Sequence, residues 1–125
     1  MSKTEIEKIG NSDSRKKVDF LFVEFQKIVG RAPVERVRWL KFMKDKNLIC
    51  CIGCFNQNGT FWVGVSLPLK DVRSKLPGYK VEDHMKSAGG RGKIRIPTTA
   101  SQSDLQKIVS LANEAYAYRG HVRHD

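Results

Sequence analysis

One stretch constrains this chain more than any other: the residues from Leu48 to Leu67. Two runs rich in β-branched, cysteine and aromatic residues, 48–55 and 60–67, flank Asn56-Gln57-Asn58-Gly59. Asn-Gly tolerates the positive φ that a tight connection needs, so the stretch reads as an antiparallel hairpin. Side chains alternate along a strand. Leu48, Cys50, Ile52 and Cys54 are therefore expected on one face, with Ile49, Cys51 and Phe55 on the other. Both faces are apolar, which predicts a central strand covered on both sides. In the second run Phe61, Val63 and Val65 oppose Thr60, Trp62, Gly64 and Ser66, a half-buried pattern.

The flanking segments extend this hairpin into a sheet. Val34 to Met43 is read as a strand, with Val37, Trp39 and Met43 opposing Arg36, Arg38, Leu40 and Phe42. The turn-like Lys44-Asp45-Lys46-Asn47 then joins it to the hairpin as a three-stranded meander. Lys93-Ile94-Arg95-Ile96 predicts a fourth strand with isoleucines in and cations out, stopped by Pro97. A short helix fits 69–76, and 79–90 is read as loop.

Two longer helices complete the pattern. Val18, Leu21, Phe22, Phe25, Ile28 and Val29 recur at three- and four-residue spacing, and Gly30 suits the position just past a helix end. Near the C-terminus, Leu105, Ile108, Val109, Leu111, Ala112, Ala115 and Tyr116 form a second apolar stripe, with Ser103 and Gln106 as its capping box. The fold class expected is α+β: an antiparallel sheet of about four strands, the meander plus one, against N- and C-terminal helices. A single domain over 13–120 is expected, with 1–12 as a flexible leader and 121–125 as a tail.

Charge narrows the class of partner. The formal net charge is +10, and residues 69–97 hold 8 basic and 3 acidic groups. A localised positive field attracts polyanions; an incidentally basic protein is the plainer alternative. No apolar run is long enough to span a bilayer, and the first residues lack the apolar core of a signal peptide. Three bunched cysteines do not make a disulfide framework, which agrees with a reducing, cytoplasmic setting.

Few residues point to chemistry. Cys51-Ile52-Gly53-Cys54 has C-x-x-C spacing, but on a strand those two thiols face opposite ways, so no metal is expected there. Asp83-His84 is an acid–histidine neighbour pair without a nucleophile, P-loop or zinc-protease motif beside it, so no catalytic residues and no cofactor are assigned. The stretch from Lys86 to Arg95 is the best candidate. Its glycines let backbone N–H groups approach phosphates, and Lys86, Arg91, Lys93 and Arg95 can neutralise them. A mobile, solvated loop is the competing reading. Arg36, Arg38 and Lys41 form a second set that could share a sheet surface with the first. Trp39, Trp62, Tyr79, Tyr116 and Tyr118 could stack on bases, although core packing explains such residues more often.

Phe61-Trp62-Val63-Gly64-Val65-Ser66-Leu67, Lys75-Leu76-Pro77-Gly78-Tyr79, His84-Met85-Lys86 and the apolar punctuation of the last helix together carry a resemblance. Over about residues 14–118 the chain resembles the MmcQ/YjbR family, small α+β proteins with a double-wing, CyaY-like fold of DNA-binding type, and a related bacterial domain. Gly92-Lys93 stand where that family usually has a tryptophan. The resemblance implies DNA association. With the charge cluster, it makes the expected function non-enzymatic nucleic-acid binding through Lys86, Arg91, Lys93, Arg95, Arg36 and Arg38. The alternative is a small-ligand or protein-interaction domain using an apolar cleft between sheet and helices. A homodimer is compatible with both, and no membrane partner is expected.

Overall fold

The computed structural model describes residues 12–36, 39–53, 60–83 and 92–121. Helix α1 (Ser12–Val29) follows from the apolar spacing: Val18, Leu21, Phe25 and Val29 all turn inward and are buried. It ends where expected. Gly30 takes φ +75° and its N–H donates to the Gln26 carbonyl at 2.8 Å, closing the last turn in a conformation that costs glycine little.

Among the described residues the sheet has six strands, where about four were expected. They are β1 (Val34–Glu35), β2 (Trp39–Lys44), β3 (Asn47–Gly53), β4 (Phe61–Val65), β5 (Val81–Asp83) and β6 (Gly92–Ile96), in the order β1-β2-β3-β4-β6-β5. Every pairing is antiparallel. Both extra strands are short edges. The stretch read as one strand from Val34 folds back on itself, pairing Val34 with Lys41 and Glu35 with Leu40. Val81–Asp83, read as loop, pairs with β6 and buries Val81.

The central hairpin forms as expected, with Cys50 opposite Val65 and Gly53 opposite Trp62; its turn lies outside the described residues. β3 is covered on both faces from Leu48 onward, and β4 is fully buried where a half-buried strand was expected. The predicted alternation along β3 breaks at a bulge. Phe42 pairs with Cys50 but Met43 pairs with Leu48, so Ile49 is the extra residue. Ile49 therefore joins Cys50 and Ile52 in the main core, while Leu48 moves to the opposite face beside Cys51. Ser66 stitches the bulge. Its N–H donates to the Ile49 carbonyl at 2.9 Å, and its buried hydroxyl donates to the Leu48 carbonyl at 2.6 Å.

Helix α2 (Leu69–Lys75) follows Pro68 and packs Val72 against β6. Helix α3 (Gln102–His121) buries the stripe expected of it. Its cap is Ser101, whose hydroxyl accepts the Asp104 N–H at 3.1 Å, in place of the Ser103–Gln106 box. The turn Pro97–Ala100 delivers Ser101, two residues earlier than the pattern implied, to the N-cap position. The helical core residues all join the inward strand residues in one cluster; Phe25 and Phe42 meet edge to face at 5.4 Å within it. The opposite sheet face carries a second, small cluster of strand residues alone: Leu48, Cys51, Trp62, Trp39 and Met43.

Candidate nucleic-acid interface

Strand alternation and register build the face opposite the helices, where the described cluster is made of strand residues. Ile94 and Ile96 point into the main core, so Lys93 and Arg95 leave β6 on the other side, as the sequence pattern implied. Arg95 stands directly across from Trp62, and Lys93 across from Gly64. On the far side of β4, Gly53 lies between Trp62 and Trp39. With no side chain between them, the two indoles lean together, centroids 6.1 Å apart and planes tilted by 40°. Lys41 Nζ sits 5.3 Å from the Trp39 ring centroid, and Lys93 Nζ 4.9 Å from that of Trp62. The result is a continuous row of cation, indole, indole and cation across four strands.

Gly64 makes room for that row. A Cβ at this position would lie 2.6 Å from Cys51 Sγ and 3.5 Å from Trp62 Cζ3. Trp62 is only 4% exposed, so its ring is not a free stacking surface. Trp39 is half-buried at the more open end. At the β5 margin Glu82 lies across from Lys93 and meets Lys80 at 3.5 Å.

Of the six cations expected to bind, the structure brings Lys93 and Arg95 together. Arg36 is exposed beyond β1, its guanidinium donating to the Glu35 carbonyl at 3.3 Å and its N–H to the Trp39 carbonyl at 2.9 Å. Arg38, Lys86 and Arg91 lie outside the described residues, as do His84 and Cys54. Cys50 and Cys51 are buried on opposite faces, and burial pushes the Cys50 thiol well above its ordinary pKa, with Cys51 adding to the effect. Among the described residues no three His, Cys, Asp or Glu side chains converge as metal ligands would. Tyr116 packs on the helical side under Lys44, whose Nζ is 4.0 Å from the ring centroid.

A cleft of about 360 Å³ opens where β6 leaves the sheet, lined by Tyr79, Lys80, Arg95, Pro97, Ala100 and Asp104 among others. Tyr79 Oη donates to Asp104 Oδ2 at 2.7 Å, and Lys107 approaches Oδ1 at 4.0 Å. The Tyr79 hydrogen bond is the main cause holding the Asp104 carboxyl below its usual range; burial and the Asp104 bond push the Tyr79 phenol upward. Tyr79 and Asp104 are far apart in the chain, so no local sequence signal could have paired them. A second groove, about 400 Å³, runs beside the end of α1 along Phe22, Val23 and Gly30. No helix among the described residues is long and apolar enough to cross a membrane. Comparison with protein-family models, curated proteins and solved structures returned no significant match.

Proposed function

We propose that this protein is a non-enzymatic nucleic-acid-binding domain whose contact surface is the sheet face opposite the described helices. The observation that carries the reading is the Lys41–Trp39–Trp62–Lys93 row with Arg95 beside it. Indoles hold the ammonium groups in place over a flat floor, and cations held at strand spacing suit a phosphate backbone. Such contacts position a nucleic acid without reading its bases. Arg36 extends the basic surface past β1, and Lys86, Arg91 and Arg38 are proposed to add to it. The double-wing likeness and a cytoplasmic location belong to the same reading.

Salt dependence tests it. Four phosphate contacts, by Lys41, Lys93, Arg95 and Arg36, give a duplex slope of about −3.6 in log affinity against log salt. Affinity then falls about 150-fold from 50 to 200 mM. Each further contact by Lys86, Arg91 or Arg38 steepens the slope by about 0.9. Replacing Lys93 and Arg95 together by Gln should flatten it by about 1.8. Anisotropy of a fluorescent duplex and a single strand measures both. No binding at 50 mM, or an unchanged slope in the double variant, would refute the proposal.

The rival reading, a protein-interaction domain or homodimer, draws on the groove beside α1, where Val23 is 49% exposed. Charge-reversal at Lys93 and Arg95 leaves that surface untouched, so the two readings separate in one experiment.

A further inference from the structure

Arg95 links the cleft at the exit of β6 to the cationic face: the residue lines the cleft and stands across from Trp62. Its remaining walls differ from the face in kind. Pro97 and Ala100 are apolar, Tyr79 supplies a ring, and Asp104 supplies a carboxylate. A volume of about 360 Å³ lies in the range of small-molecule sites. We propose that this cleft receives one unpaired base carrying an exocyclic amino group, delivered by a single strand lying on the face. The proposal rests on the nucleic-acid reading of that face.

The chemistry follows from the donor and acceptor inventory. Asp104 is ionised at neutral pH and accepts only; Tyr79 Oη donates to one oxygen at 2.7 Å, Ser101 donates to the carboxylate from its hydroxyl and its backbone N–H, and Lys107 stands 4.0 Å from the other oxygen. A carboxylate has further lone pairs for an N–H donor, and a cytosine amino group is such a donor. Thymine and uracil have no amino group. In a duplex the amino group is already paired, so the base must be unpaired to fill the cleft. A phosphate alone fits poorly, since Asp104 would repel it; Arg95 is the group placed to hold the phosphate that follows the base.

The test uses the full chain and two fluorescent probes, short oligo(dC) and short oligo(dT), at low salt. Oligo(dC) should bind about fivefold more tightly or better. Asp104→Ala should abolish that preference while oligo(dT) affinity holds or rises, because a negative charge has gone; a thermal melt checks that the variant is folded. Tyr79→Phe keeps the carboxylate and should keep the preference. Equal binding of the two probes by the unmodified protein overturns the base subsite and leaves the face reading standing. A preference that survives in Asp104→Ala assigns it elsewhere and also overturns the proposal. Failure of both probes to bind defeats the face reading itself, and the subsite falls with it.

Discussion

Ser66→Ala isolates the bond that fixes the β-bulge. The Ser66 hydroxyl is buried and donates to the Leu48 carbonyl at 2.6 Å, at the point where the alternation of β3 changes face. Alanine keeps the backbone bond from Ser66 N to the Ile49 carbonyl and deletes only the side-chain donor. A buried carbonyl left without that partner costs about 1–3 kcal/mol. For a chain of 125 residues, the average unfolding entropy converts each kcal/mol into about 4 °C of Tm. The melting point should thus drop by about 4–12 °C. Urea unfolding should show a lower midpoint with an unchanged slope, since the surface exposed is the same. Ser110→Ala, on the exposed side of α3, is the control and should be neutral or mildly stabilising because alanine favours helix. A loss below about 0.5 kcal/mol in Ser66→Ala would mean that the Leu48 carbonyl is satisfied without the hydroxyl, and the account of the bulge would fail.

Three further outcomes can be measured. Gly92→Ala places a Cβ 2.7–2.9 Å from three Val72 side-chain atoms, so overpacking should cost about 1–3 kcal/mol; adding Val72→Ala should recover part of the loss in a double-mutant cycle. Cys50 should resist alkylation at pH 8 until denaturant unfolds the protein, as site-resolved mass spectrometry would report, because burial holds its thiol protonated and shielded; labelling in the native state would contradict this. Asp104 has a depressed folded pKa, so the stability it contributes is present above its unfolded value of 3.8 and is lost as pH falls through the lower folded value. Tyr79→Phe removes the main cause, and the Asp104 carboxyl titration followed by NMR should move up toward the ordinary range; no movement would show that another group sets it.

The sequence speaks clearly where one periodicity dominates. The spacing of Val18, Leu21, Phe25 and Val29, and of the stripe from Leu105 to Ala115, predicts both long helices with little competition. Alternation in 93–96 separates Ile94 and Ile96 from Lys93 and Arg95, and so predicts which cations share the outer face. Two- and three-residue edges such as Val34–Glu35 and Val81–Asp83 are too short to show any period, which is why about four strands were expected and the described residues form six. The bulge is invisible for a different reason. Leu48 and Ile49 are both apolar and satisfy either face, so side-chain pattern alone cannot place the register shift. Capping failed by two residues because Ser101 and Ser103 are chemically equivalent until the Pro97–Ala100 turn selects one. At the candidate site, the pairing of Trp39 with Trp62 depends on Gly53 lying between them, which needs the registers of two hairpins at once.

Those same short edges bear on how the protein behaves at high concentration. A strand open at the margin of a sheet is a template on which another chain can crystallise laterally, and long apolar margins polymerise. Here one margin offers two residues ending in Glu35, and the other three residues including Glu82 and Asp83. Among the described residues, neither edge offers a long, uncharged run of unpaired backbone on which a second molecule could add a strand. The described edges thus work against fibre-like strand addition.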